Sequence, residues 1–453
     1  MGDGDSRESR SFLLSILNIK KGAPRPSQRL VEEGRKATVR ALTTARPNPL
    51  PCLLKEAWDQ VPTAGRGRRV ETWLSRENLI IELRRTVDEI VNVAKRGRQK
   101  FSSYTDKDRY RPIVASTSSS YELSRGKGGA LRGVNGWMRQ EGLMTYLETK
   151  PGVDRDGKIK ATDLLETKTP TGMVGSLPPD IVARVPDDET ESIRIDISRQ
   201  EELARERYFR MVREALDEES LVESVGLPEP LKIRVITKGK FKLSKCLQPL
   251  QKKIWRLLQR HKTFILTGKE VTKEIIQERI GSNLDEGEYY LSGDYSAATD
   301  NLAPWVSEAI AEQLALRLGL TDDERLLLLK SLTGNLIEDP ETEELKPQLW
   351  GQLMGSVVSF PILCIANAAM CRWAKEVTTM STLSLDQARI LINGDDVAFR
   401  TTREGYKVWS KITAFGGLEE SVGKSFLSKD FVQINSANFY RMPEPEMYLY
   451  QDP

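Results

Sequence analysis

Apolar and polar positions alternate with period two at Leu231, Ile233 and Val235, with Lys232 and Arg234 between them. That spacing predicts a strand over 231–242 with one cationic face. Helical spacing appears at Leu79, Leu83, Val87, Ile90, Val91 and Ala94, so 76–96 reads as an amphipathic helix stopped by Gly97. Further helices are expected over 201–216, 248–261 and 404–415, the last closed by Gly416-Gly417. An apolar strand ends at Asp294, and a turn through Asp300 leads to a helix with Pro304 in its first turn. The small residues 355–359 enter another helix, with Pro361 in its first turn. Two β-prone runs flank Asn393-Gly394-Asp395-Asp396, a hairpin signal because Asn and Gly tolerate positive φ. Pro24, Pro26, Pro47, Pro49 and Pro51 break the first 50 residues into a helix or two and a loose tether. The Pro-, Gly- and Asp-rich stretch 150–195 reads as irregular surface.

The chain has 453 residues, 39% hydrophobic and 29% charged, which is the make-up of a globular protein with room for two or three domains. No apolar run approaches the roughly 18 residues of a membrane span. The short apolar patch from Phe12 to Ile19 follows acidic residues and lacks a cleavage site. Met1-Gly2 with Ser6 fits only the loosest lipidation pattern. Cys52, Cys246, Cys364 and Cys371 form no CxxC pair, and His261 is the only histidine. This argues against structural zinc, and against Ser-His or Cys-His catalysis unless His261 is the base. His261 is expected on a basic face, and the cysteine usage fits a reducing compartment. Carboxylates and lysines are left to carry any chemistry.

Net charge is only +3 but unevenly spread. Residues 95–132 hold ten Lys/Arg against three acids, and 227–273 hold thirteen against two, while 187–223 is acid-rich. Two basic segments in a near-neutral chain suggest a localised polyanion site. Lys232, Arg234, Lys238 and Lys240 have no acid among them, which favours phosphate contact over a solvated face. The Ser/Gly loop 116–133 carries Arg125, Lys127 and Arg132, and is either a linker or a phosphate cradle.

The adjacent carboxylates of Asp395 and Asp396, at a hairpin tip, repel one another unless a cation intervenes. Mg²⁺ suits them, and a plain surface turn is the alternative. Asp294, at a strand end, would complete a three-Asp cage able to share two ions roughly 3.5–4 Å apart. Gly355 to Ser359 permit close backbone approach to a ligand. Asn367, alone among Ile, Ala and Cys, reads first as a buried amide bonded to its neighbours. Lys424 is either a proton donor in a phosphate cleft or an ordinary surface lysine.

In order, the chain carries KIRVITKGK, GDYSAATDN, GQLMGSVVSFPILCIAN, NGDD and VGKSFLSKDFVQINS. These segments resemble motifs F, A, B, C and D of viral RNA-dependent RNA polymerases. Their wording is similar to that of the botourmiaviruses (ourmia-like viruses) of the narnavirus and levivirus lineage, and STSSSYELSRGKGG resembles that group's upstream finger motif. The resemblance covers roughly residues 110–442.

It implies an α/β (α+β) right-hand polymerase: an N-terminal extension over 1–109, fingers over 110–285 and a palm over 286–442. The start of a thumb, or a tail, would occupy 443–453; only thirteen residues follow Tyr440, so the thumb is expected to be short, missing or supplied from elsewhere. The resemblance implies metal binding by Asp294, Asp395 and Asp396, with Mg²⁺ or Mn²⁺ as cofactor. Lys232, Arg234 and Lys238 would grip the triphosphate, Asp300 would sense the ribose 2′-hydroxyl, and Lys424 would protonate pyrophosphate. Template contacts fall to Arg125, Lys127 and Gly355.

Asp300 lies six residues after Asp294, as is common in this lineage, where many polymerases use five. Asn367 lies twelve after Gly355 where many polymerases place the ribose-sensing Asn eight after, and position 363 is Leu, so Asn367 and Ser359 are rival ribose contacts. The implied function is copying of a positive-strand viral RNA genome in the host cytoplasm, rather than the mitochondrion, with template, product and nucleoside triphosphates as partners. Reverse transcriptase and a non-catalytic RNA-binding or nucleocapsid protein are the rivals. Asp300 and the glycine before Asp395 favour RNA synthesis over the first, and the intact carboxylates argue against the second.

Overall fold

Helix α1 (Gln28–Thr43) starts where Ser27 accepts a hydrogen bond from the Leu30 amide, and it buries Val31, Val39 and Leu42. Helix α2 (Arg76–Val91) is capped by Ser75 and buries Leu79, Leu83, Thr86, Val87, Ile90 and Val91, the stripe expected from the sequence. It ends at Val91 rather than at Gly97, because Asn92–Lys95 leave the helix to pair with Arg98–Phe101. These elements belong to a computed structural model that describes residues 24–59, 68–95, 98–110, 118–141, 190–441 and 449–451. The apolar patch at 12–19, the Met1-Gly2 pattern, Gly97, the irregular stretch up to 189 and most of 443–453 lie outside the described residues.

Helix α3 (Thr190–Asp217) leads into a hairpin of β1 (Leu221–Glu229) and β2 (Lys232–Gly239). Helix α4 (Phe241–Leu258) begins seven residues before the expected 248, with Pro249 inside it instead of at its start. Its basic residues remain on the outer side while Leu243, Leu247, Leu250, Ile254, Leu257 and Leu258 are buried. Strand β3 (Glu288–Gly293) is followed by α5 (Pro304–Leu318), with proline in the first turn as expected. Strands β4 (Leu336–Glu338) and β5 (Leu345–Pro347) extend the β1–β2 hairpin into a sheet of order β2-β1-β4-β5, in which only the β1–β4 pair is parallel.

Helix α6 (Ser359–Thr379) is buried almost all round, as its apolar sequence requires. Strands β6 (Leu391–Asn393) and β7 (Asp396–Thr402) form the expected hairpin, α7 (Arg403–Phe415) follows, and β8 (Phe426–Ser428) returns to β3. The resulting antiparallel sheet has the order β6-β7-β3-β8. Strands β9 (Phe431–Ile434), β10 (Ala437–Arg441) and β11 (Leu449–Gln451) form a separate antiparallel sheet beside it.

Helices α2, α5, α6 and α7 pack into one hydrophobic core with the sheet. Each fully buried Leu or Ile contributes about 1.5–3 kcal/mol relative to exposure. Polar bolts fix the register of this core. Asp88 of α2 takes both Nε and Nη2 of Arg317 at 2.7 Å. Arg372 of α6 is wholly buried and donates to Glu89 at 2.9 Å and to the Thr86 hydroxyl at 2.7 Å. Thus α2, assigned by sequence to an N-terminal extension, is part of the same core as the sheet.

His261 is a correction to the sequence reading: it is half-buried beneath α4, its Nε2 lies 3.3 Å from the Ile90 carbonyl, and burial pushes its pKa down. It is a neutral packing group, not part of a basic face. Replacing Arg372 with Ala is expected to cost about 3 kcal/mol, since half-buried Glu89 would lose its ion pair and Glu82 would keep only Arg85. Denaturant titration of both proteins checks this.

Candidate active site

Register places the first two acids. Val397 pairs with Gly293, the last pair of that ladder, so Asp294 leaves β3 at the end where Asp396 begins β7, and the Asp294 charge raises the pKa of Asp396. Asn393 pairs with Asp396, which makes Gly394 and Asp395 the two central residues of the hairpin. Only Gly394 takes positive φ, at 69°, as the first position of a II′ turn requires. The Asn-Gly signal therefore located the hairpin but misplaced its centre by one residue. Asp395 is exposed at the turn, while Asp396 is half-buried on the strand rather than beside it at the tip.

Helix α6 braces this turn from below. Cys364 Sγ accepts from the Gly394 amide at 3.2 Å, and Asn367 Nδ2 donates to the Gly394 carbonyl at 3.0 Å and the Asp395 carbonyl at 3.4 Å. Asn367 Oδ1 accepts from the Tyr295 hydroxyl at 2.8 Å and from Cys371 Sγ at 3.2 Å. Trp409 Nε1 in turn donates to the Tyr295 hydroxyl at 3.2 Å. Residues 364, 367 and 371 share one face of α6, and Tyr295 follows Asp294 directly. One buried network thus holds the ends of both carboxylate-bearing segments. Asn367 is fully buried, and its side-chain amide is spent on this network. Ser359 is likewise buried, its hydroxyl donating to the Leu353 carbonyl at 2.7 Å.

Asp294 is held by the segment after α7. The Ser421 amide donates to its carbonyl at 2.8 Å, and the Ser425 hydroxyl bonds its amide and carbonyl at 3.2 and 3.1 Å. Lys424 Nζ lies 3.4 Å from Asp294 Oδ2, with the lysine side chain 60% and the aspartate 25% exposed. The Asn435-Ser436 turn between β9 and β10, positive in φ at both residues, touches the hairpin from the other side. Asn393 Nδ2 donates to Asn435 Oδ1 at 3.0 Å, and the Asn435 amide lowers the pKa of Asp396.

Burial raises the pKa of Asp396 to about 7, with further upward pressure from the charges of Asp395 and Asp294. Asp395 is raised by desolvation first and by Asp294 second, against the pull of Lys232 and Lys424. The surrounding protein desolvates Asp395 even though its surface meets water in the cleft. Among the described residues no three acidic, thiol or imidazole side chains form a ready-made metal cage. Asp294 and Asp395 both add their charge to the field at Asp396.

The basic face of β2 is not free of acids. Across the hairpin, Lys238 faces Glu223 and pairs with it at 2.7 Å, and Arg234 pairs with Glu229 at 2.9 Å. The acids missing from the strand's own sequence come from β1. More of the basic charge is spent in the same way: Lys242 on Glu214 at 2.8 Å, and Lys253 and Arg256 both on Asp108 at 2.9 Å. Lys232 is exposed, has no ion-pair partner among the described residues, and reaches Asp395 through its field. Arg125 and Lys127 form an exposed 3₁₀ turn, likewise without acidic partners among the described residues.

Gly355 is exposed, and its amide donates to the Thr237 hydroxyl at 2.9 Å. A Cβ there would stand 1.8 Å from the Thr237 carbonyl, so glycine is required for packing against β2. Asp300 lies on the short helical turn Ala298–Asn301 with its pKa raised to about 6, burial being the main cause. Sequence reasoning missed Tyr295, Cys364 and Ser425. Spacing could have found Cys364, three residues before Asn367 on an apolar helix, but nothing local marked the others.

No protein-family model matches the chain. The chain is 37% identical over 225 residues, 46% of its length, to the RNA-dependent RNA polymerase of Ourmia melon virus, isolate Melon/Iran/VE9. It spans about a quarter of that relative, 26% of its length. Among solved structures, the RNA-dependent RNA polymerase of a human picorbirnavirus superposes with a TM-score of 0.40 at 14% identity, over 49% of this chain and 43% of that one. Its insertion-loop deletion mutant gives 0.41 at 15% identity, over 49% and 44%. The chain is thus similar, across about half of its length, to an ourmiavirus RNA-dependent RNA polymerase.

Proposed function

We propose that this chain carries the catalytic core of an RNA-dependent RNA polymerase that copies a positive-strand viral RNA genome in the host cytoplasm. Residues 110–285 serve as fingers and 286–442 as palm. The observation that carries this reading is the β3–β7 register. It brings Asp294, just past the end of β3, to the end of β7 where the Gly394-Asp395 turn and Asp396 lie, in a chain with 37% identity to an ourmiavirus polymerase. Among the described residues no helix is long and apolar enough to cross a membrane.

Asp294, Asp395 and Asp396 offer hard oxygen donors, and a divalent cation would relieve their mutual repulsion and the raised pKa values of Asp395 and Asp396, so the residues fit Mg²⁺ or Mn²⁺. When bound, such ions activate the attacking 3′-hydroxyl and stabilise the leaving oxygen. The chain's own part is positioning and charge. Lys232, without an ion-pair partner among the described residues and within the field of Asp395, is the finger cation best placed for a triphosphate. Lys238 and Arg234 would have to exchange Glu223 and Glu229 for phosphate. Lys424 balances Asp294 and stands beside it to donate a proton to departing pyrophosphate. Arg125 and Lys127 offer exposed charge to the template, and Asp300 offers a carboxylate to a ribose hydroxyl.

Asp395→Asn is expected to cut primer extension on an RNA template by about three orders of magnitude, as loss of a central electrostatic group does, while RNA affinity stays within about two-fold. Retained synthesis in that variant overturns the assignment. Asn367→Leu, which strips the brace from the turn but leaves every carboxylate, should lower kcat about 100-fold through misplacement alone. Steady-state kinetics should show the KM for nucleotide little changed. A raised KM at unchanged kcat would return Asn367 to the substrate.

A further inference from the structure

The segment following α1 reaches the turn that carries Asp300. Arg46 Nη1 donates to Asn301 Oδ1 at 2.9 Å, and its guanidinium lies 5.4 Å from the Trp350 ring centre. Trp350 Nε1 donates to the Asn301 carbonyl at 2.9 Å, and Asn301 Nδ2 donates to the Ser296 carbonyl at 2.8 Å. The Leu349 and Trp350 amides both donate to the Leu42 carbonyl, at 2.8 and 3.0 Å. Further along, the Gln352 amide donates to the Thr299 carbonyl at 2.8 Å. The turn 296–301 is therefore laced to residues 349–352, and both are tied to the end of α1.

Arg46 is the lace with a charge. Asp300, the next residue to Asn301, receives a hydrogen bond from the Thr299 hydroxyl at 3.2 Å and has no ion-pair partner among the described residues. After burial and that hydroxyl, Arg46 is the remaining influence on its carboxyl group, and it favours the charged form. A half-buried arginine stacked on Trp350 and bonded to Asn301 is pre-organised, since its planar fork loses little freedom per bond made.

We propose that Arg46 is a positioning residue for sugar selection: it fixes Asn301, and through it the Asp300 carboxylate, so discrimination between ribose and deoxyribose depends on a side chain outside the polymerase-like motifs. This rests on the polymerase reading above. It assigns part of the N-terminal extension a role at the site rather than that of a tether.

The test uses the full chain on an RNA primer–template, with kcat and KM for CTP and dCTP measured for the unaltered protein, Arg46→Gln, Arg46→Lys and Asn301→Ala. Arg46→Gln is expected to lower the CTP-over-dCTP preference about ten-fold, the scale of one charge-assisted hydrogen bond, mainly through a higher KM for CTP. Arg46→Lys should recover part of that preference because it keeps the charge. Asn301→Ala should match Arg46→Gln, and it tests the same link if Arg46→Gln does not fold. An unchanged preference in folded Arg46→Gln, or an equal fall in kcat for both nucleotides, overturns the proposal. If the unaltered protein incorporates neither nucleotide, the polymerase reading itself falls.

Discussion

Three carboxylates that repel one another when charged must be held together, and the rest of the molecule is arranged around that conflict. The pairing of Val397 with Gly293 brings Asp294 to the end of β7 where Asp396 lies, and a two-residue turn adds Asp395. Burial and mutual repulsion then push Asp396 to about 7. The cost of this arrangement is met by neighbours that have no charge to add. Asn367 and Cys364 hold the turn, Tyr295 ties Asn367 to the strand end, and Ser425 clasps the Asp294 backbone. Such a site stores repulsion that a divalent ion or a cationic side chain relieves, and Lys424 is the side chain that does so here.

The helices beneath the sheet explain why the turn can be held so firmly. Helix α6 is buried on nearly every face, so its residues 364, 367 and 371 cannot move without disturbing the core. Helix α2 is bolted to it by Arg372, Glu89 and Thr86, and to α5 by Asp88 and Arg317. Packing of this kind is not continuously deformable, so rigidity in the core reaches the catalytic turn.

Much of this was legible in the sequence, because the strongest signals were local. The apolar stripe of 76–91, the strand before Asp294, Pro304 at a helix start and the Asn-Gly hairpin all depend on residues within a few positions of one another. What could not be read depends on partners distant in the chain or across a strand. The basic face of β2 looked free of acids because Glu223 and Glu229 lie on the partner strand. Ser359 and Asn367 looked available to substrate, yet Leu353, Tyr295 and the 394–395 carbonyls claim them. The bland reading of Asn367, a buried amide bonded to its neighbours, describes its contacts, and its consequence lies in which neighbours those are. Helix α4 starts at Phe241, ahead of the expected 248, and Pro249 sits mid-helix, where burial among α4's leucines outweighs the lost amide bond.

The central claim is that Asp294, just past β3, and the acids of the β6–β7 hairpin share a divalent cation. It is tested most directly by titrating Mn²⁺ into the chain at pH 6 and pH 8 and following the free ion by its electron paramagnetic resonance. With Asp396 protonated up to about pH 7 in the metal-free chain, binding must expel that proton, so affinity is predicted to be weaker at pH 6 than at pH 8. Asp395→Asn should abolish this pH-dependent binding. Saturable binding that is indifferent to pH, or that survives in Asp395→Asn, would contradict the account.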